Sequence, residues 1–302
     1  MEHNCPICQS VCQPLITDGR DFFVLEGNSP SFDVVYCMVC QIAFTRPHLT
    51  DTELAPYYPD HFEAFVKKKS FTAFLQTAKY KSDIKMISKR LKNKNASLYE
   101  IGAGRGEFLS IAANAGFDVA GIEPGVKGIE AAKQYYGITL EQGFATDIKY
   151  SRKFDIVVMR HVLEHINDFK DVLKNIAHSG LNTGGVLFIK VPRFDSWERR
   201  IFKQFWHGLD LPRHRNHFTR QGIIRLLSNY GFHDISVYNE VVPYDILRSL
   251  EYFSKHGKPG IAKFICRWIL RLPGFLLTLK CQAAGLLFIT AGAGRMIVIA
   301  KK

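Results

Sequence analysis

A β-prone run that ends in three glycines at alternate positions constrains this chain more than any other feature. Ser97–Ile101 is such a run, Gly102, Gly104 and Gly106 follow it, and Glu107–Ala115 reads as a helix. Strand, glycine turn and helix in that order open a nucleotide-binding α/β domain. Glycine lets the backbone turn sharply and pass close to a ligand. The spacing here is G-x-G-x-G, not the G-x-G-x-x-G of dinucleotide sites. Glu100 stands just before the turn, where a carboxylate repels a pyrophosphate and attracts an ammonium group.

A second acid extends the pattern. Asp118–Pro124 reads as the next buried strand, and its Glu123 lies nineteen residues beyond Gly104. An acid about 20 residues after such a turn meets ribose hydroxyls in nucleotide-binding folds. A nucleoside carrying an amino-acid tail satisfies both acids, and S-adenosylmethionine is such a ligand. Ala103 and Pro124 complete the two turns that border it.

Lys153–Ile166 supplies the third element, an apolar strand from Phe154 that ends in Arg160, His161, Glu164 and His165. E-x-G-x-G-x-G, the acid closing the second strand and F-D-x-V-x-x-x-H-V-L-E-H together resemble the class I S-adenosylmethionine-dependent methyltransferases. The nearest branch is similar to the ubiquinone- and sugar-methyltransferase group. The resemblance covers about residues 97–242 and the final strand. It implies a Rossmann-like α/β fold with a mostly parallel seven-stranded sheet. It also implies a donor resting on Gly102–Gly106, with Glu100 near its amino group and Glu123 on its ribose. Phe144 and Ala145 then border the adenine, and Arg160 the methionine end. Ubiquinone methyltransferases carry Glu-x-x-Glu-His where this chain has His161, Glu164 and His165. Magnesium prefers oxygen ligands, so the first histidine argues against a catalytic magnesium.

Residues 1–60 read as a separate small domain. Cys5-x-x-Cys8 and Cys37-x-x-Cys40 are two knuckles 28 residues apart, with strand-like stretches at Phe22–Leu25 and Phe32–Tyr36. Four thiolates in tetrahedral array make a structural zinc ribbon and leave no open catalytic position. The spacing of Cys12 is less regular, and it is left out. The start of the chain carries no basic-then-apolar leader, and seven cysteines then suit a reducing compartment, the cytoplasm.

Residues 61–302 read as the methyltransferase domain. Residues 61–95 form a lysine-rich helical lid whose Phe65, Phe71, Phe74, Leu75, Ala78, Ile84, Ile87 and Leu91 line one face. Helices at Val126–Tyr136, Phe169–Ser179 and Gln221–Tyr230 alternate with strands at Ile138–Gly143, Val186–Val191, Ile235–Val242 and Met296–Ala300. Such alternation builds a parallel sheet wrapped by helices. Two inserts, 193–218 and the helical 243–294, interrupt it, and acceptor specificity is usually built on such connections.

Transfer of a methyl group to a hydroxyl wants a general base, and histidine suits neutral pH. His165 and His214 are the candidates, with His165 equally able to cap the following helix. His217 and Arg213 are read as orienting the acceptor, and Tyr58 as closing the pocket from the ribbon side. Arg213, His214, Arg215 and His217 read either as a solvated basic loop or as a grip on an acidic acceptor. A Pro-Arg-His loop of this kind, with the ribbon and Tyr57-Tyr58, resembles sugar-modifying methyltransferases. The implied acceptor is a glycan or nucleotide sugar. No Asn-Pro-Pro-Tyr-like motif follows the Asp155 strand, which weighs against nucleic acid. RNA methylation through the ribbon and a non-catalytic scaffold are the other readings.

The net charge is +12. Residues 261–294 set Lys263, Arg267 and Arg271 among Ile, Phe, Trp and Leu, which suits peripheral association with the inner face of an anionic membrane. A helical subdomain packed on the sheet, or a homodimer contact, fits the same segment.

Overall fold

The computed structural model describes residues 3–58, 70–91 and 95–302. In chain order its strands are β1 (His3–Asn4), β2 (Val11–Gly19), β3 (Phe32–Cys37), β4 (Ile42–Arg46), β5 (Ser97–Ile101) and β6 (Asp118–Glu123). They continue with β7 (Glu141–Gln142), β8 (Phe154–Arg160), β9 (Leu181–Pro192), β10 (Asn216–Phe218), β11 (His233–Glu240) and β12 (Arg295–Lys301). The α-helices are α1 (Asp51–Leu54), α2 (Ser70–Ser88), α3 (Glu107–Asn114), α4 (Val126–Tyr136) and α5 (Phe169–Asn175). Then come α6 (Trp197–Phe202), α7 (Arg220–Asn229), α8 (Pro243–His256), α9 (Ile261–Ile269) and α10 (Gly274–Leu287).

Seven strands make one sheet in the order β11-β12-β9-β8-β5-β6-β7. β5, β6, β7, β8 and β9 pair in parallel. The chain steps outward from β5 to β7 and then returns beside β5 as β8, so the order reverses between β5 and β8. Ligands bind outside the carboxyl ends of strands at such a switch point. Lys302 exchanges backbone bonds with Gly184 and Gly185 while Arg193 N–H donates to Gly294 O, which runs β12 against β9. Every residue of β5 is buried, as a strand covered on both faces requires.

Contacts divide the chain into two compact units. One gathers Met1–Tyr58 with Val191–Leu226 and Val237–Ile297, and the other holds Pro59–Lys190, Leu227–Ser236 and Val298–Lys302. Both inserts, 193–218 and 243–294, gather wholly with the cysteine-rich segment and not with the glycine turn. The reason lies in hydrogen bonding and packing. β10, from the first insert, pairs with β4 as the last strand of a sheet ordered β1-β2-β3-β4-β10. Trp197, Trp206 and Leu211 share a buried cluster with Phe32, Val34, Leu54 and Tyr57, and Ile246, Leu277 and Cys281 of the second insert close it.

Other local expectations also shift. Phe22–Leu25 is no strand: the Asp21 carboxylate accepts the N–H groups of Phe23, Val24 and Leu25 and curls them into a turn. The strand expected over 138–143 shrinks to Glu141–Gln142. In α2, Ile84 and Ile87 are buried but Phe74 and Leu75 are exposed, so only its second half has the expected inward face. Phe65 and the side chain of Phe71 lie outside the described residues. Thr219 caps α7 as read, its hydroxyl accepting the Gly222 N–H at 2.9 Å.

Candidate functional site

The glycine turn between β5 and α3 is left-handed at all three glycines, with φ of 69°, 54° and 71°. A Cβ on Gly102 would stand 2.5 Å from Val162 Cγ2, so the strand end is packed shut there. A Cβ on Gly104 would meet nothing within 4 Å. Gly104 therefore borders open space, and Gly102 is bare for packing.

Glu123, at the end of β6, is held by the same turn. Its Oε2 accepts the Gly104 N–H at 2.8 Å and its Oε1 the Gly125 N–H at 2.9 Å. Each carboxylate oxygen keeps a second lone pair, so both still accept a hydroxyl. Burial pushes the carboxyl up, against the pull of the two backbone donors.

Glu100 is fully buried in β5. Its Oε1 accepts Arg160 Nε at 2.9 Å, and Arg160 Nη2 lies 2.7 Å away. The guanidinium of Arg160 rests 4.3 Å from the ring centres of both Tyr80 and Phe108, which meet edge to face, an aromatic corner that favours a cation. Glu100 Oε2 is buried and has no hydrogen-bond partner among the described residues. Burial lifts this carboxyl to about 7 although Arg160 pulls it down. An unpaired buried acceptor costs about 1–3 kcal/mol. An ammonium group arriving at the strand end would supply the missing donor, so these residues fit an amino-acid tail. Phe144 follows β7 with its ring more than half exposed, beside half-buried Ala145. Ala103 is buried and Pro124 exposed on the two turns.

His165 belongs to the same unit. It is half-buried in the turn after β8, its N–H donating to Val162 O at 3.0 Å. His161, with φ of 57°, presents Nδ1 3.4 Å from Glu164 Oε1.

His214, His217 and Tyr58 belong to the other unit. Arg213 there is wholly buried; its guanidinium bonds both oxygens of Asp21 at 3.0–3.1 Å, both of Asp210, and Tyr57 O. This overturns the reading of Arg213 as an acceptor grip, because its donors are spent joining three chain segments. His217 is likewise built in. Thr45 Oγ1 donates to His214 O at 2.7 Å, so it accepts from His217 Nε2 at 2.9 Å, and Phe194 lies against the ring. Burial holds His217 well below the ordinary histidine range, so it braces β4 against β10. His214 Nδ1 meets Gly208 O at 2.9 Å, and burial lowers this ring too. Tyr58 is exposed at the end of the first chain segment.

The four cysteines converge. Cys5 and Cys40 Sγ are 3.8 Å apart, Cys8 and Cys37 Sγ 3.6 Å, and all four lie within 4.8 Å of one another. A zinc–sulfur bond of about 2.3 Å sets tetrahedral thiolates about 3.8 Å apart. The knuckles share a backbone: Gln9 and Gln41 both take positive φ and donate back to Cys5 O and Cys37 O. The donor set and spacing fit a tetrahedral metal. Cys12 lies outside it, its thiol pushed up to about 12 by burial.

Sequence reading missed Tyr80, Phe108, Asp83 and Lys190. Asp83 and Lys190 form a buried ion pair at 2.8 Å that ties α2 to the end of β9. The available signal was an acid beside the apolar positions Ile84 and Ile87 of a helix.

Strand order, the bare glycine, the acid ending β6 and the orphaned acceptor at the switch point fit an S-adenosylmethionine-dependent methyltransferase domain. Residues 71–237 match the family model described as a methyltransferase domain. The chain belongs to that family. It is 30% identical over 112 residues to the ubiquinone biosynthesis O-methyltransferase of Pelagibacter ubique, covering 35% of this chain and 46% of that protein. The match thus spans less than half of that relative. A Thermotoga maritima methyltransferase structure, described as a possible histamine N-methyltransferase, covers 77% of this chain and 94% of its own at 16% identity and TM-score 0.48. Phosphoethanolamine N-methyltransferase 2 of Haemonchus contortus, solved with S-adenosyl-L-methionine, covers 73% and 52% at 18% identity and TM-score 0.48.

Proposed function

We propose that this chain transfers the methyl group of S-adenosylmethionine to a hydroxyl oxygen, that of a sugar in surface polysaccharide, lipopolysaccharide or nucleotide-sugar synthesis. The carrying observation is the unpartnered Glu100 Oε2 beside the bare Gly104 and the bound-back Glu123. When bound, the donor supplies an electrophilic methyl group on a good leaving group. Glu100 holds its ammonium group, Glu123 its ribose hydroxyls, and Phe144 and Ala145 flank its adenine. His165 or His214 takes the hydroxyl proton. The oxygen chemistry of the matched relative and the motif resemblance support a hydroxyl acceptor; the sugar rests on the resemblance alone. Cys5, Cys8, Cys37 and Cys40 hold a structural zinc in this reading, and the ribbon works inside a reducing compartment.

The test presents the purified chain and deuterium-labelled donor to a set of nucleotide sugars, glycans and polyprenyl quinols. Labelled methyl on a sugar oxygen supports the proposal. Label on the quinol oxygen overturns the sugar, and no donor binding by calorimetry overturns the enzyme.

A further inference from the structure

Helix α9 turns most of its apolar side chains outward. Ile261, Phe264, Ile265 and Trp268 are 81%, 72%, 48% and 60% exposed. Their spacing of three, one and three residues sets them on a single stripe about 100° wide. Its remaining large apolar residue, Ile269, packs on the core cluster, so the outward stripe is not this unit's own packing surface. Leu279 and Leu287 of α10 are 60% and 76% exposed. Scattered exposed leucines are ordinary on a protein surface, but a continuous aromatic and aliphatic stripe marks a contact.

The charge around the stripe selects the contact. Residues 252–294 contain six lysines and arginines and no aspartate or glutamate. Arg267 and Arg271 are exposed, and Lys263 donates to Lys255 O and Gly257 O, fixing α9 against the end of α8. Of the six, Lys255 lies 4.0 Å from Glu26; a second copy docking by the same face would set the remaining positive charge against itself, which symmetry makes unavoidable. An anionic surface with an apolar interior complements both features. No helix among the described residues is long and apolar enough to cross a membrane, and a nine-residue amphipathic helix with a basic flank lies in the interface instead.

We infer that α9, with the adjoining exposed leucines of α10, docks this protein on the surface of an anionic lipid bilayer, Trp268 and Phe264 entering the acyl boundary. The reading does not depend on the acceptor.

Vesicle flotation of the full chain tests it, with phosphatidylcholine vesicles that contain or lack phosphatidylglycerol. The chain floats with the anionic vesicles, and added salt weakens the association. Trp197 and Trp206 are buried at 8% and 2% exposure, so a blue shift of tryptophan emission on binding reports Trp268. Phe264→Ser with Trp268→Ser abolishes flotation while donor binding by calorimetry is unchanged. Arg267→Ser with Arg271→Ser weakens it about thirtyfold, two basic side chains' share of surface attraction. No flotation, or equal flotation with neutral vesicles, overturns the inference. So does a dimer in solution that Trp268→Ser converts to monomer.

Discussion

Arg160, half-buried, and Arg213, wholly buried, are both guanidinium groups held by carboxylates, and they finish in opposite states. Arg213 reaches Asp21, Asp210 and a backbone carbonyl; Asp21 in turn accepts three backbone N–H groups. Arg160 satisfies one oxygen of Glu100 and leaves the other bare. Residue type and a carboxylate partner do not tell the two apart. Only the balance of donors and acceptors separates a brace from a site, because a buried acceptor without a donor carries a cost that a ligand can remove.

The largest expected effect tests the brace side of that contrast. Stripping metal with a strong chelator should unfold the cysteine-rich sheet, since structural zinc contributes about 10–16 kcal/mol in small domains. Donor binding by the glycine turn is expected to survive. Metal analysis with circular dichroism and calorimetry reads both, and a chelator-resistant sheet would leave the cysteines as plain core thiols.

Arg213→Ala comes next. Removing one partner of a buried pair costs about 3–5 kcal/mol, here by stranding Asp21 and Asp210. Urea unfolding should show that loss. If instead stability holds and turnover falls, Arg213 belongs to the acceptor site after all and the contrast collapses.

Glu123→Ala works from the site side. It should lower donor affinity by about 1–3 kcal/mol in calorimetry and scarcely move stability. Wild-type affinity would remove Glu123 from the ribose.

The smallest effects are titrations of opposite sign. Glu100 sits at about 7 in the fold, above its ordinary value near about 4.3. Its share of folding stability is therefore full below the ordinary value and fades as pH rises through 7, while donor affinity climbs as the carboxylate forms. Glu100→Gln should flatten both curves. His207, His214 and His217 are lowered by burial. Their share is full above about 6.5 and is lost as pH falls. His217→Gln keeps a donor toward Thr45 and should blunt the fall in melting temperature between neutral and mildly acid pH. A fall equal to wild type would clear His217 of that role.

The donor half of this protein was legible because its signals are local. Gly102–Gly106, Glu100 and Glu123 follow from backbone turns and strand ends within some two dozen residues of chain, and the cysteine knuckles from spacing alone. Pairings across long stretches were not legible. Arg213 with Asp21 is separated by 192 residues and His217 with Thr45 by 172. Nothing in either segment says which carboxylate or hydroxyl will close on it. The same blindness hid the aromatic corner of Tyr80 and Phe108 around Arg160 and the packing of both inserts with the cysteine-rich segment. The sequence by itself determined the fold class and the glycine turn with its two acids, since φ preference, strand periodicity and acid placement are properties of neighbours. Which buried charges are satisfied, and which atom is left waiting for a ligand, only the tertiary structure decided. Hydrogen-bond balance is settled between distant segments at the moment they pack.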